Sequence, residues 1–170
     1  MNQAVIDASF WSAAVALGAD AYLADLFAIP MWMPGAVVGE IEAPNPSAPR
    51  RIYLRQQRLR EALRHGDIVV REPVRPHERF GPGEAACIGL ALETGCELLI
   101  NDYRPYGEAL TRLGLDVLSV ADFIAILAGR GTVAQNTALT WLDQLRDTVS
   151  DALVEPIIEM LKQAQQEERS

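Results

Sequence analysis

Short apolar segments alternate with longer segments of helical periodicity along the first 120 residues of the chain. The apolar segments predict buried strands at residues 4–6, 30–33, 68–70, 98–100 and 117–118. Between them, apolar side chains recur at helical spacing, which predicts helices over residues 10–29, 34–42, 50–64, 84–94 and 103–113. Strands that alternate with helices in this way indicate an α/β fold with a parallel sheet covered on both faces.

A few residues predict where these helices begin and which way they face. Ser9 suits the N-cap of the first helix, and Gly18 is expected to interrupt that helix. Pro34 suits the first position of the second helix, because proline is favoured there. On the third helix, Ile52 is expected to point inward.

Beyond the last predicted strand the pattern is helical only. Three helices are predicted between residues 120 and 168, with Pro156 in the first turn of the last one. We therefore predict a domain of residues 1–131 and a helical extension, residues 132–170, packed on the same domain. A chain of 170 residues suits one domain with such an appendage.

Composition argues against a secreted or membrane protein. The N-terminal residues lack a basic segment, and Asp7 breaks their apolar run, so they are not expected to form a signal peptide. No uninterrupted apolar stretch is long enough to span a bilayer, so no membrane association is expected. Cys87 and Cys96 lack the spacing of metal ligands, and we expect two buried, reduced thiols and a cytoplasmic location.

The net charge of −8 hides a strong asymmetry along the chain. Residues 50–79 contain nine Arg and four acids, a local charge of +5, whereas the rest of the chain carries −13. Arginine binds phosphate through two parallel hydrogen bonds, so this segment suits RNA or DNA. The alternative is an amphipathic helix whose solvated face happens to contain Arg.

Four acids lie far apart in the sequence, each beside a predicted strand end or helix start: Asp7, Glu40, Glu84 and Asp102. A carboxylate beside an apolar segment is costly unless its charge is compensated, and a divalent cation could compensate all four. In parallel sheets, ligand sites lie at the carboxyl ends of the strands, where the strand order reverses. If the first and fourth strands are neighbours there, Asp7 and Asp102 point into one crevice.

Each acid also has a purely structural interpretation. Asp7 could cap the following helix, and Glu84 and Asp102, at helix starts, could interact with the helix dipole. Glu40 is the weakest of the four, because the nearby Glu42 could take its place. One shared metal site, typical of a hydrolase or nuclease, explains all four acids together.

Four segments resemble PIN-domain nucleases in their content and in their order. They are Val5-Ile6-Asp7-Ala8-Ser9, Val38-Gly39-Glu40-Ile41, Gly83-Glu84-Ala85-Ala86-Cys87-Ile88-Gly89-Leu90-Ala91 and Leu99-Ile100-Asn101-Asp102. The likeness covers roughly residues 4–131. The trailing helices resemble the extension of a PIN subgroup close to VapC-type toxins (DUF3368-like).

The resemblance implies a three-layer α/β/α sandwich with a five-stranded parallel sheet. It implies a crevice in which the four acids bind Mg²⁺ or Mn²⁺ and support the hydrolysis of RNA phosphodiester bonds. It also implies a homodimer and, for toxins, a small antitoxin partner. Relatives often carry a further acid just after the fourth one, whereas here Arg104 follows Tyr103, so a second ion is expected to bind weakly or only with substrate.

The implied chemistry assigns a role to each group. Asp7 and Asp102 would be primary metal ligands, whereas Glu40 and Glu84 would bind the metal directly or orient its water. Substrate contacts are predicted at Ser9, Arg51, Arg55, Arg58 and Arg104. Two alternatives stay open: a PIN-like module that has lost catalysis and binds a protein partner, and a metal phosphohydrolase that acts on small molecules.

Overall fold

One parallel sheet of five short strands lies at the centre of the protein. The computed structural model describes residues 1–167, and residues 168–170, including the predicted helical position Glu168, lie outside the described part. The strands are β1 (Ala4–Ile6), β2 (Met31–Met33), β3 (Ile68–Val70), β4 (Glu97–Leu99) and β5 (Val117–Leu118). Their order is β3-β2-β1-β4-β5, and every neighbouring pair is parallel.

Nine α-helices connect and follow these strands in the described part of the chain. They are α1 (Ala8–Leu17), α2 (Leu23–Leu26), α3 (Gly35–Glu42), α4 (Leu54–His65), α5 (Pro82–Thr94), α6 (Tyr103–Gly107), α7 (Val120–Gly129), α8 (Gln135–Leu145) and α9 (Asp151–Glu167). A 3₁₀ turn (Ala19–Tyr22) joins α1 to α2, and a π-helical turn (Glu108–Arg112) continues α6. None of these helices combines the length and the apolar character needed to cross a membrane.

The strand order determines how the helices are distributed over the sheet. The chain moves outward in one direction from β1 to β3, then returns and moves in the opposite direction to β4 and β5. Because parallel crossovers are right-handed, helices that connect strands in the two directions are expected on opposite faces of the sheet, and α3 and α5 contact each other beside it. The predicted three-layer α/β/α fold is therefore confirmed, with α5 packed on β1 and β4.

Several predicted boundaries were wrong for local reasons. Asp7, not Ser9, is the N-cap of α1, because its side chain accepts a hydrogen bond from the Ser9 N–H. The first helical segment ends at Leu26, since Phe27 is extended and forms a parallel bridge with Asn2. Ile52 is 51% exposed because α4 begins only at Leu54.

Two further boundaries also differ from the prediction. β4 covers Glu97–Leu99, one residue earlier than predicted, because Ala4 of β1 pairs with Glu97. Pro156 is the sixth residue of α9 and not part of its first turn, because that helix already begins at Asp151.

Aromatic side chains connect the sheet layer to the C-terminal helices. The ring of Phe123 in α7 contacts Phe10 of α1 at a centroid distance of 5.8 Å and Phe27 at 6.2 Å. Further along, Trp141 of α8 lies 6.1 Å from the ring of Tyr22. Buried residues of α8 and α9 belong to the same hydrophobic cluster as the strands. The described part of the C-terminal segment is therefore packed into one continuous core.

Candidate active site

The four predicted acids lie around the carboxyl ends of β1 and β4, where the strand order reverses. Asp7 follows β1 directly, and Asp102 is the N-cap residue of α6, three positions after the end of β4. Glu40 lies on α3 and Glu84 in the first turn of α5, and these two helices pack against each other. The sheet topology therefore brings together four side chains that are remote in sequence.

Asp7 is the most deeply buried of the four acids, with an exposed fraction of 1%. Its Oδ2 accepts two hydrogen bonds from Ser9, one from the backbone N–H at 2.9 Å and one from Oγ at 2.6 Å. Its Oδ1 is buried and has no hydrogen-bond partner among residues 1–167. A buried carboxylate oxygen without a partner is costly, which points to a ligand of positive charge.

Ser9 and Asn101 hold the strand ends in place around Asp7. The backbone N–H of Asn101 donates to Ser9 Oγ at 3.0 Å, and the side-chain amide donates to the Ser9 carbonyl at 3.3 Å. The amide oxygen accepts from the N–H of Val120, at the start of α7, at 2.7 Å. The side chain at position 101 must therefore donate one hydrogen bond and accept another, which an amide can do and an ionised acid cannot.

Glu40 approaches Asp7 across a glycine. A Cβ atom at Gly83 would lie 3.0 Å from Oε2 of Glu40 and 3.8 Å from Oδ1 of Asp7, so both oxygens face the same small space. Glycine at this position leaves that space open. The Glu84 carboxylate accepts a hydrogen bond from the Gly81 N–H at 2.7 Å, and it therefore caps its own helix.

Mutual repulsion adds to the effect of burial on these acids. The pKa of Asp7 is raised to about 6, first by burial and then by the charges of Glu40 and Glu84, against the hydrogen bonds from Ser9. The pKa of Glu40 is also raised, first by burial and then by Glu84 and Asp102. Each of the four acids therefore takes part in one electrostatic cluster.

Glu42 does not share this cluster. Both of its carboxylate oxygens accept hydrogen bonds from Arg60 of α4, with Nε at 3.0 Å and 3.1 Å. Glu40 and Glu42 are two positions apart on α3, so they leave the helix in different directions. Glu40 therefore faces Asp7, whereas Glu42 faces α4. The role of Glu40 as a metal ligand stays a prediction.

A groove of about 500 Å³ opens beside the acids. Its walls come from α1, α3, the start of α4, the β4–α6 connection and the turn between α8 and α9. Its lining includes Ser9, Ser12, Glu40, Arg55, Asp102, Tyr103 and residues 148–150. The C-terminal helices therefore contribute one wall of the groove.

Of the predicted substrate-binding arginines, Arg55 is the one whose side chain lines this groove. Its Nε is buried and has no hydrogen-bond partner in the described part of the chain. Its charge lowers the pKa of Glu40, against the larger effect of burial. Arg55 therefore offers an unused donor beside the acid cluster.

The other predicted arginines lie at different places. Arg58 is 3.8 Å from Asp20 and lines a separate cavity with it. Arg51 lies over the ring of Tyr53, with 5.0 Å between its guanidinium carbon and the ring centroid. Arg104 is exposed on α6.

Some groove residues were not identified from the sequence. Tyr103 is 55% exposed and lines the groove directly after Asp102, and Ser12 lies one helical turn after Ser9. Their spacing from Asp102 and Ser9 is a signal that could have found them. Residues 148–150 had no such signal, because only the packing of α8 and α9 brings their turn to the site.

The donor types fit a divalent cation of the Mg²⁺ or Mn²⁺ kind, since all four side chains provide carboxylate oxygens and Asp7 Oδ1 has no partner within the described residues. The side-chain conformations do not enclose an ion. Within residues 1–167, no group of three or more His, Cys, Asp or Glu side chains is placed to hold one. The engagement of Glu84 with Gly81 contributes to this, because it directs the carboxylate toward its own helix.

Comparison with known protein families agrees with the fold. A family model described as DUF3368, PIN domain, matches residues 3–164, which includes α8 and most of α9. The chain belongs to the PIN-domain family, and the predicted resemblance to PIN domains is confirmed. PIN domains are generally nucleases, which are hydrolases, and they typically use divalent metal ions. None of the curated proteins compared with the chain matches it.

The raised pKa of Asp7 predicts a pH-dependent instability of the metal-free protein. Its pKa is about 6 in the fold and 3.8 in the unfolded reference, so the folded state loses stability as the pH rises between these values. We expect Asp7→Asn to remove this loss, so that its stability relative to wild type rises by about 3 kcal/mol between pH 3.8 and pH 7.5. Urea unfolding with a metal chelator measures the effect. Asp25→Asn, an exposed substitution on α2, serves as the control. Parallel profiles for Asp7→Asn and wild type would contradict the prediction.

Proposed function

We propose that this PIN-domain protein is a metal-dependent ribonuclease with Asp7, Glu40, Glu84 and Asp102 as its catalytic acids. The observation that carries the proposal is the buried Oδ1 of Asp7, which has no hydrogen-bond partner among the described residues and lies beside Glu40. Burial and the charges of Glu40 and Glu84 both disfavour the ionised form of Asp7, as its raised pKa shows. A bound cation would offset this unfavourable free energy.

One or two Mg²⁺ or Mn²⁺ ions would be held by Asp7 and Asp102, with Glu40 and Glu84 as direct ligands or as partners of bound water. When bound, such an ion lowers the pKa of water and neutralises the charge on the leaving oxygen of a phosphodiester. Because Oε2 of Glu84 accepts the Gly81 N–H, Glu84 would take part through its other carboxylate oxygen or after leaving that hydrogen bond. Ser9 keeps the Asp7 carboxylate oriented throughout, because it bonds Oδ2 and leaves Oδ1 available.

The groove beside the acids is the proposed substrate site. Arg55 provides a donor for a phosphate of the backbone, and the exposed ring of Tyr103 offers a surface on which a base can stack. Arg51, Arg58 and Arg104 lie outside the groove lining, and in this proposal they contact the RNA backbone further from the cleavage site. The positive charge of residues 50–79 supports an RNA substrate despite the acidic protein.

The likeness to VapC-type toxins supports a role as the toxin of a type II toxin–antitoxin pair. In this role the protein would have an antitoxin partner, form a homodimer and act in the cytoplasm. In such a pair the antitoxin would occupy the groove that RNA uses. The dimer is checked by the mass of the purified protein in solution.

A second function is favoured by one specific observation. Glu84 is engaged as a helix cap, and residues 1–167 contain no group of side chains already arranged around an ion. In a PIN-like module that has lost catalysis and binds a protein partner, Glu84 would stay bound to the Gly81 N–H and the acids would not close around an ion. Metal titration followed by an RNA cleavage assay separates the two functions, because the module would show neither binding nor cleavage.

Replacing Asp7 tests the catalytic proposal. We expect Asp7→Asn to abolish Mn²⁺-dependent cleavage of RNA while the protein stays folded, because an amide keeps the Ser9 contact but is a poor ligand for a hard cation. Cleavage of a labelled RNA and circular dichroism provide the two measurements. Asp25→Asn serves as the charge-matched control and should retain activity. Full activity of Asp7→Asn would contradict the proposal.

Two arginines on α4 test the position of the substrate. We expect Arg55→Gln to weaken RNA binding about tenfold, because it removes a charged donor beside the acids, which corresponds to about 1.4 kcal/mol. Arg58→Gln is the matched comparison on the same helix, where the side chain pairs with Asp20, and its effect should be smaller. Fluorescence anisotropy with a labelled RNA in Ca²⁺ or chelator measures both. Equal losses for the two variants would place the substrate along the whole helix and not in the groove.

A further inference from the structure

The segment before α5 runs back along that helix and is attached to it at several points. We refer to residues 74–81 as the strap. The backbone N–H of Arg75 donates to Glu93 at 2.8 Å near the end of α5, and the N–H of His77 donates to the Ala85 carbonyl at 2.8 Å. The strap then ends at the N-cap of α5, so its path leads directly to the turn that carries Glu84.

The contact between strap and helix is close. A Cβ atom at Gly89 would lie only 2.3 Å from the carbonyl oxygen of Arg75, so only glycine permits this approach. At its other end, Phe80 has a φ of 72°, in the left-handed region that non-glycine residues rarely adopt. Such a conformation persists only where surrounding contacts hold it.

Contacts from the strap itself surround Phe80. The ring of His77 stacks on it at a centroid distance of 6.1 Å, and the guanidinium of Arg79 lies 5.5 Å from its ring centroid. Phe80 directly precedes Gly81, whose N–H binds the Glu84 carboxylate. The conformation of Phe80 therefore determines where the Gly81 N–H points, and through it where Glu84 is held.

Arg79 connects the strap to the chain segment that carries Asp102. Its Nη1 donates to both carboxylate oxygens of Glu108, at 3.0 Å and 2.9 Å, and the Glu108 side chain is only 10% exposed. Glu108 begins the π-helical turn that continues α6, and Asp102 is the N-cap of α6. Arg112 also binds Glu108, at 3.2 Å, but from within the same turn.

We infer that the Arg79–Glu108 ion pair is a positioning contact that sets the distance between Glu84 and Asp102 in the active site. The inference rests on the proposed function, since it concerns the same metal site. Arg79 and Glu108 are not catalytic residues, because they act through Phe80 and Gly81 on one side and through α6 on the other. The pair joins two segments that approach the site from different strands, β3 and β4.

The test compares two arginines that bind the same carboxylate. Arg79→Met removes the arginine contact between the strap and Glu108 and leaves His77 Nε2 of the strap 3.8 Å from Glu108 Oε1, whereas Arg112→Met removes a contact within one turn. We expect Arg79→Met to weaken Mn²⁺ binding about tenfold in calorimetric titration, the effect typical of outer partners of a metal site, and Arg112→Met to change it less than about twofold. Urea unfolding of the metal-free proteins shows whether their stabilities match, so that a general loss of stability is separated from a change at the site.

A double mutant makes the test independent of one variant. If the contact acts as inferred, adding Glu108→Gln to Arg79→Met causes no further loss of Mn²⁺ affinity. Equal Mn²⁺ affinities for Arg79→Met and wild type, or equal losses for Arg79→Met and Arg112→Met, would overturn the inference and leave the proposed function standing. If the wild type itself binds no Mn²⁺, both fail.

Discussion

The burial of the Asp7 carboxylate at the end of the central strand is the constraint on which the site depends. An anion at 1% exposure is unfavourable in any fold, and here two other acids raise its pKa further. The structure satisfies only one of its two oxygens within the described residues, through Ser9. An unfavourable buried charge therefore remains at Asp7, and such perturbed groups are typical of functional sites.

Much of the surrounding structure serves to keep that carboxylate in place. Asn101 joins the start of α1 to the start of α7 by hydrogen bonds, so the C-terminal helices are connected to the acid through one amide. The packing of Phe123 on Phe10 makes the same connection in the apolar core. The continuous core explains how the turn between α8 and α9, remote in sequence, becomes a wall of the groove.

The parallel sheet with helices on both faces could be predicted from the sequence, because short apolar strands that alternate with helices are a local signal. The strand order could not be predicted in this way. Asp7 and Asp102 are expected in one crevice only if the first and fourth strands are neighbours, and the pairing of β1 with β4 meets that condition. Details that depend on tertiary contacts could not be predicted either. The capping of α1 by Asp7 rather than Ser9 depends on where β1 ends, and the position of β4 depends on its pairing with Ala4. The bonding of Glu42 to Arg60 depends on the approach of α4, which no spacing within α3 reveals.

The central claim is that a divalent cation occupies the space beside Asp7 Oδ1. Crystals grown with Mn²⁺ and measured near the manganese absorption edge test it directly, because the anomalous signal locates the ion. We expect a peak within about 2.3 Å of Asp7 Oδ1 that also contacts Glu40 or Asp102, and no peak there in crystals of Asp7→Asn. A structure at saturating Mn²⁺ with no peak at this place, or with the ion bound elsewhere, would contradict the account.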